Sequence, residues 1–375
     1  MFGIQVDEHI ELQLLSNLHS KQQTALVASN RAYIGTWLPW AWTSTELAHS
    51  QQFVRMMRQS LAAGQDYGFA ILYDGSLAGG IGLHQRNKVA HTAEIGYWLG
   101  QPFTGKGIMT RAVKAVTDFS YRTLGMNRIF IRAATENIPS QNVAKRAGYQ
   151  YEMTGRQSGY ISDQDDNRTI IDLQYYSMLR DEWTPFLEDA AIKWPVDAEI
   201  ELRLFERHHT AALYDLVDQN RDHLRQWLPW VDDTQSAQDT AAFIERTLNN
   251  YAQENGFAAG IWYKGELVGA VEYHYWDFNQ KKTEIGYWLS QHVTGSGIMT
   301  RVVHCLTQFA LVNLGLNRVE IMCAVGNEKS AAIPQRLGYT LEGVQRQATL
   351  ARNTHLDARI YAMLAQDWSI AGAKT

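Results

Sequence analysis

The chain has 375 residues, 45% of them apolar, which as a soft prior gives two domains that can each bury a core. Its net charge is −5, with acids and bases interspersed and no run of one sign, so binding to nucleic acid or to an anionic membrane is not expected as its main role. No stretch approaches the ~18–20 apolar residues of a membrane span, and the opening MFGIQVDEHIELQL lacks the basic start and apolar run of a signal peptide, so a reducing, cytoplasmic location is expected.

In chain order, Ile10 to Leu14 alternates as a strand. A helical stretch containing LVASNRAYI follows, then the aromatic WLPW, then an amphipathic helix over Gln51 to Leu61. GFAILY and LAGGIGLH read as strands around the turn DGS. AEIGYWL is a further strand, Thr104 to Gly107 a turn, and MTRAVKAVTDFSYRTLG a long helix ending at Gly125. RIFIRAAT is a strand. Ser140 is placed to cap the short helix QNVAKRAG, which stops at Gly148. YEM and IIDLQYYSML supply the last strands. The set is α/β: a mixed sheet with helices packed on it. Cys305 and Cys323 sit in apolar surroundings and read as small buried hydrophobes, and no metal site is expected.

Almost all of this is written twice. EIGYWLGQPFTGKGIMT, from Glu94 to Thr110, returns as EIGYWLSQHVTGSGIMT, from Glu284 to Thr300. A shift of 190 residues aligns the halves without a gap from Ile10 to Gln157. Beyond that the shift is 185, so the second copy has lost five residues in the polar segment SGYISDQDDN, where a surface loop tolerates loss. The period is far too long for a solenoid. Two domains of one fold are expected, 1–185 and 195–375, joined near 184–198.

The doubled stretch carries the chemistry. Glycines at 105 and 107 let the backbone approach a ligand closely, and the helix start beyond them presents free N–H groups and a positive dipole end, a combination that binds phosphate. GxxxxGK[ST] is absent and the third glycine of GxGxxG is missing, so neither common phosphate motif applies. By itself the turn is equally well a plain tight turn. It recurs, however, after an identical EIGYWL strand, and is followed at fixed spacing by RIFIRAAT-EN-x-x-S and G-Y, matched by RVEIMCAV-GN-x-x-S and G-Y.

This set resembles the GNAT N-acetyltransferases, and most of all the RimJ/RimL type that acetylates ribosomal-protein N-termini. The resemblance covers nearly the full length of both copies and implies two tandem acyl-CoA N-acyltransferase domains with acetyl-CoA as co-substrate. It implies that backbone N–H groups of Gly105, Lys106, Gly107, Ile108, Met109 and Thr110, and of Gly295, Ser296, Gly297, Ile298, Met299 and Thr300, hold the coenzyme's pyrophosphate. Asn137 and Asn327 would hold the pantetheine arm or the loop itself. An oxyanion donor is expected on the strand near Trp98-Leu99 and Trp288-Leu289. The superfamily pattern Q/R-x-x-G-x-G/A departs here, with Thr104 or Thr294 first and Met109 or Met299 last. Lys106 adds a charge that Ser296 cannot, so the first site is expected to bind more tightly.

Candidates for proton transfer also repeat. The resemblance gives Glu94 and Glu284 as bases acting through a water, with pairing to a neighbouring cation as the alternative. His84 and His274 have the pKa of a general base, with a satisfied or solvent-facing histidine as the alternative. The glutamate that the RimL type uses as base has Gly159 and Thr349 in its place, unless Glu152 or Glu342 substitutes. The superfamily's tyrosine acid is replaced by Ala144 and Pro334, and the RimL-type serine acid corresponds to Ser140 and Ser330, which could equally serve as caps. WLPW at 37–40 and 227–230 either walls the acceptor cleft or packs in the core.

Three functions follow. One is acetylation of a protein N-terminal α-amine, such as that of a ribosomal protein. Another is acetylation of a small amine, aminoglycoside-like drug or polyamine. The third is a coenzyme A-binding scaffold with one degenerate copy, the pair imitating a homodimer. Freeing an α-amine of pKa ~7.7–8 at pH 7 costs about 1 kcal/mol, whereas a lysine at ~10.4 costs about 4–5 kcal/mol. A site with a weak base is better matched to the α-amine.

Overall fold

The computed structural model describes residues 1–351 and 354–372, so residues 373–375 of the expected second domain lie outside the described residues. The chain divides into two compact units, Met1–Ile192 and Lys193–Thr375.

The first unit runs β1 (Gly3–Gln5), β2 (Ile10–Leu14), α1 (Ser20–Ser29), α2 (Arg31–Gly35), α3 (Trp40–Thr43), α4 (Leu47–Ala62), β3 (Tyr67–Tyr73), β4 (Ser76–Asn87), β5 (Thr92–Leu99), α5 (Ile108–Arg122), β6 (Arg128–Ala134), α6 (Ile138–Ala147), β7 (Gln150–Ser162) and β8 (Arg168–Leu179). The second runs β9 (Trp194–Pro195), β10 (Ile200–Leu204), α7 (Thr210–Gln219), α8 (Arg221–Leu224), α9 (Trp230–Asp233), α10 (Ala237–Ala252), β11 (Phe257–Tyr263), β12 (Glu266–Asp277), β13 (Lys282–Leu289), α11 (Ile298–Gln308), β14 (Arg318–Ala324), α12 (Glu328–Arg336), β15 (Thr340–Ala351), β16 (Thr354–Leu364) and α13 (Ala365–Gly372).

Each unit holds one eight-stranded mixed sheet. The order in the first is β1-β2-β3-β4-β5-β6-β8-β7, and the second repeats it from β9 to β16. Every neighbouring pair is antiparallel except β5–β6 and β13–β14, which are parallel. A parallel pair needs a crossover, and α5 and α11 supply it. Six of the seven residues of β3 are buried, as fits a central strand covered on both faces. The buried stripe of α5 includes Ile108, Ala112, Val113, Val116 and Phe119, spaced three and four apart, and it fastens that helix to the sheet.

The structure adds to or corrects the sequence reading at four places. The edge strands β1 and β9 were not expected, and β9 lies inside the segment taken as the join. That segment is also anchored. Asp118 on α5, buried at 1% exposure, accepts hydrogen bonds from Trp183 Nε1 at 2.7 Å, Phe186 N at 2.8 Å and Leu187 N at 2.5 Å. Ser140 does not cap α6. Asn137 does, its side chain accepting the Ser140 N–H at 3.2 Å, and Asn327 does the same for Ser330 in α12. The last strands are longer than YEM and IIDLQYYSML, forming a hairpin in each unit. In both, a bulge residue with positive φ, Gln157 or Gln347, donates its N–H to Asp172 or Asp357, so the five-residue loss falls beyond that shared bulge, toward the hairpin tip.

Two histidines close the turns that lead into α1 and α7. His19 Nδ1 accepts the Ser16 N–H at 3.2 Å and His209 Nδ1 accepts the Glu206 N–H at 3.0 Å, so both must stay neutral on that nitrogen. Burial pushes the imidazole pKa down to about 4 for His19 and about 3 for His209. A folded pKa below the unfolded value of ~6.5 gives stability that is complete above that pH and is lost as pH falls toward the folded value. Urea unfolding at pH 6.5 and 5 is expected to show the first unit losing about 1–2 kcal/mol through His19, and a His19→Gln chain losing less over the same interval.

Candidate active site

The site begins where two strands part. β5 and β6 pair only from Thr92 to Glu94 and from Arg128 to Phe130, and β13 and β14 stop at the equivalent point, Glu284 with Glu320. On its other side β5 stays paired with β4 as far as Leu99 opposite Gly79. The stretch from Ile95 to Leu99 therefore has an edge outside the β5–β6 ladder, with peptide groups that need other partners. Trp98-Leu99 and Trp288-Leu289 lie on this edge, where the oxyanion donor is expected.

The wedge leads to the start of α5. A short turn, Gln101–Phe103, connects them, and it is held by the buried Asn30, whose Oδ1 accepts the Gln101 N–H at 2.8 Å. Asn220 does the same for Gln291 at 2.9 Å. Gly105 and Gly107 then take φ values of 75° and 72°, and Gly295 and Gly297 take 88° and 75°, in the left-handed region that side chains disfavour. A β-carbon at Gly105, Gly295 or Gly297 would meet nothing within 4 Å, so the glycines are demanded by backbone conformation and the space beside them is open. Gly107 and Gly297 cap their helices, and helix geometry leaves the N–H groups of Ile108, Met109 and Thr110, and of Ile298, Met299 and Thr300, without intrahelical acceptors. Open space beside left-handed glycines and free amides fits a pyrophosphate.

Three cations frame this mouth. Arg111 donates to Asp7 at 2.6 Å and to the Lys106 carbonyl at 3.1 Å, bracing the turn, and Arg301 is held by Asp197 at 2.8 Å. The Lys106 ammonium lies over the Tyr73 and Phe103 rings, 5.2 and 5.7 Å from their centroids. Arg146 on α6 reaches Thr110 Oγ1 at 3.5 Å, and Arg336 on α12 reaches Thr300 Oγ1 at 3.3 Å. The last pair was missed in the sequence. Its only signal is an arginine two residues before G-Y in both copies.

Ser140 and Ser330 meet a second hydroxyl that the sequence reading also missed. Tyr97, on β5, donates to the Ser140 carbonyl at 3.2 Å and lies 3.0 Å from Ser140 Oγ. Tyr287 donates to the Ser330 carbonyl at 3.1 Å and lies 3.4 Å from Ser330 Oγ. Burial pushes the Tyr97 pKa up to about 12 and raises that of Tyr287 further, so both phenols stay protonated. Ala144 and Pro334 are buried and offer no hydroxyl.

The carboxylates sort clearly. Glu152 forms a two-pronged ion pair with Arg128, and Glu342 with Arg318, so neither is available to replace the missing RimL-type base. The Arg128 guanidinium holds the Glu152 carboxyl below its usual range. Glu94 is paired too: Arg132 Nε and Nη2 donate to its two oxygens at 2.9 and 2.7 Å. Glu284 has no such arginine, because Met322 stands at the matching position. His84 faces Glu94 across the β4–β5 ladder, its ring so close to Gly82 that a β-carbon there would come within 2.5 Å of Nε2. Burial lowers the His84 pKa.

In the second unit His274, Glu284, Tyr287 and Ser330 share one cavity of about 730 Å³. Trp227, Leu228, Pro229 and Trp230 line one part of it; His274, Glu284 and Trp288 line the sheet side; Asn327 and Ser330 line the α12 side. The glycine turn and Leu289 are not among its walls. In the first unit Trp40 packs edge-on against Trp98 at 5.8 Å and belongs to an apolar cluster with Val27, Ile34 and Ala41. Among the described residues, no group of His, Cys, Asp and Glu is arranged to hold a metal ion, and no helix is long and apolar enough to cross a membrane.

A family model described as an acetyltransferase (GNAT) domain matches residues 13–150 and again 199–340. The chain is 38% identical over 175 residues to the putative ribosomal N-acetyltransferase YdaF of Bacillus subtilis, covering 46% of this chain and 95% of that protein. It is 30% identical over 171 residues to the ribosomal-protein-serine acetyltransferase of Escherichia coli, covering 45% of this chain and 94% of that protein. Among solved structures, a RimL ribosomal alpha-N-protein acetyltransferase in complex with coenzyme A aligns over 47% of this chain and 99% of its own, at 27% identity and a TM-score of 0.45. Each of these relatives spans about one unit. With both units matched, the chain belongs to the GNAT acetyltransferase family, and it is an acetyl-CoA-dependent N-acetyltransferase with two such domains in tandem.

Proposed function

We propose that the acceptor is the α-amine of a protein N-terminus, of the kind a ribosomal protein presents, and that each unit holds its own acetyl-CoA at the glycine turn. The likeness to ribosomal-protein acetyltransferases supports the acceptor class. The observation that carries the reading is the second unit's cavity, which brings a tryptophan wall, a carboxylate and an Asn–Ser helix start around one space large enough for the end of a peptide.

Bound acetyl-CoA supplies a thioester carbonyl to the wedge. In this reading the backbone edge at Trp98-Leu99 or Trp288-Leu289 receives the charge that develops on that carbonyl oxygen. In this reading the hydroxyl pairs Ser140–Tyr97, in contact at 3.0 Å, and Ser330–Tyr287, at 3.4 Å, return a proton to the departing sulfur. An α-amine needs only about 1 kcal/mol to lose its proton at pH 7, which suits a site whose RimL-type glutamate is absent. The reaction fits a cytoplasmic setting, and one chain supplies the two sites that a homodimer would divide between two.

A second reading is a small polyamine, favoured by Asp233, Asp239, Glu272 and Glu284, all of which line the same cavity.

Isothermal titration with acetyl-CoA is expected to give two sites per chain. Gly107→Val and Gly297→Val are each expected to leave one, because a β-branched residue resists the left-handed conformation and projects into the open space. Binding that stays at two sites in both variants would move the pyrophosphate elsewhere. Thiol release measured with peptides beginning in Ser or Ala, with polyamines and with aminoglycosides is expected to favour the peptides. Turnover with polyamines alone would select the second reading, and silence with all three would leave a coenzyme-binding module.

A further inference from the structure

The two units differ at one position beside the reacting centre. In the first, Arg132 on β6 grips both oxygens of Glu94, and Tyr175 on β8 lies against the same guanidinium. In the second, Met322 on β14 replaces the arginine and lines the cavity, 40% exposed. Among the described residues no cation is hydrogen-bonded or ion-paired to Glu284. The groups that face it are Glu272, His274 and Tyr275 from β12 and Glu320 from β14, the last already paired with Arg318 at 2.6 Å. Asp233, Asp239 and Arg246 border the same cavity from the helical side. Two residues before His84 on β4 stands Gly82, whereas the matching residue of β12 is Glu272, 3.6 Å from His274 Nδ1.

We propose that residues 132 and 322 decide which unit can use its strand glutamate as a base: Met322 leaves Glu284 free to deprotonate the acceptor, while Arg132 occupies both oxygens of Glu94, making the second unit the faster acetyltransferase. This rests on the acetyl-transfer reading above. The acceptor enters as an ammonium. Glu284 takes one proton, and the freed nitrogen lone pair forms the C–N bond at the thioester carbon. The C–S bond then breaks, the nitrogen sheds a second proton, and the departing thiolate is protonated. The net change is ammonium plus acetyl-CoA giving amide, coenzyme A and one proton, which leaves Glu284 for solvent along the side lined by His274.

Burial supports the assignment by raising the Glu284 pKa above its ordinary value; His274 opposes this, and Glu320 and Glu272 add to it. A base poised nearer to neutral pH transfers protons more effectively than an arginine-paired carboxylate.

The test uses full-length chains limited to one working coenzyme site by Gly107→Val or Gly297→Val, with kcat/KM followed against pH. The second-unit chain is expected to be faster. Glu284→Gln should lower its rate about 10²–10⁴-fold and remove its acid limb, whereas Glu94→Gln should change the first-unit chain less than about threefold. Met322→Arg should slow the second unit about tenfold or more and move its acid limb to lower pH, with Met322→Leu as the volume control. Arg132→Met should speed the first unit and give it an acid limb. Carbon-13 NMR of the labelled glutamate carboxyls, which needs no acceptor, should show Glu284 titrating above ordinary glutamates and Met322→Arg reversing that. A first-unit chain as fast as the second, Glu284→Gln at the parent rate, or an ordinary Glu284 titration overturns the proposal while acetylation persists. A parent chain that acetylates no amine overturns the acetyl-transfer reading, and this division of labour with it.

Discussion

The β5–β6 ladder closes only three residue pairs, and the separation that follows is the constraint on which both sites depend. A strand leaving its partner exposes peptide groups that must be satisfied elsewhere. The helix crossing between the two strands cannot fill the gap, because its apolar stripe binds it to the sheet and two left-handed glycines end it. Arg111 and Asn30 then fix the approach to that helix from opposite ends of the connecting turn. Open space beside the glycine turn and a line of strand backbone thus lie together where the two strands part. The Tyr97–Ser140 contact ties β5 to α6, so the hydroxyl pair is positioned by the same strand.

Duplication preserved the positioning residues and altered the chemistry around them. Arg111, Asn30, Tyr97, Asn137 and Arg146 all have identical counterparts making matching contacts: Arg301, Asn220, Tyr287, Asn327 and Arg336. One change elsewhere replaces two touching residues together. In the first unit the Trp42 ring lies over Gly35, where a β-carbon would come within 2.4 Å, and Trp42 Nε1 reaches the Ser162 carbonyl in the long hairpin at 2.8 Å. In the second, Arg225 and Asp232 occupy the Gly35 and Trp42 positions and form an ion pair at 3.1 Å, and the hairpin is shorter. The contact between α2 and α3 was therefore exchanged as a pair, while the residues that brace the glycine turn were kept.

The repeat, the glycine turn and the strand leading to it were legible because each is a local pattern with a fixed period. What stayed hidden depends on register or on exact boundaries. β1 and β9 have three and two residues, too few for alternation to show. Ser140 and Asn137 are both capping types, and a helix start one turn earlier than expected makes Asn137 the cap and frees Ser140 for Tyr97. Glu152 looked like a base because it follows G-Y, yet the hairpin turns it toward Arg128. Arg132 was visible in RIFIRAAT, but its meeting with Glu94 requires knowing that these two strands run parallel and where they part.

Stability alone would favour an arginine at both positions. A half-buried carboxylate without a cation carries a desolvation cost that a paired one offsets, and removing one partner of such a pair is commonly destabilising. Met322 does not recover that cost by packing, since it remains 40% exposed on the cavity wall. Of the surrounding charges only His274 favours the carboxylate, while Glu320 and Glu272 oppose it, and burial keeps the Glu284 pKa raised. A fold that keeps its arginine–glutamate clasp in one copy and omits it in the other, at the point where the strands part and a cavity opens, retains an unfavourable arrangement where an unclasped carboxylate can act on what enters.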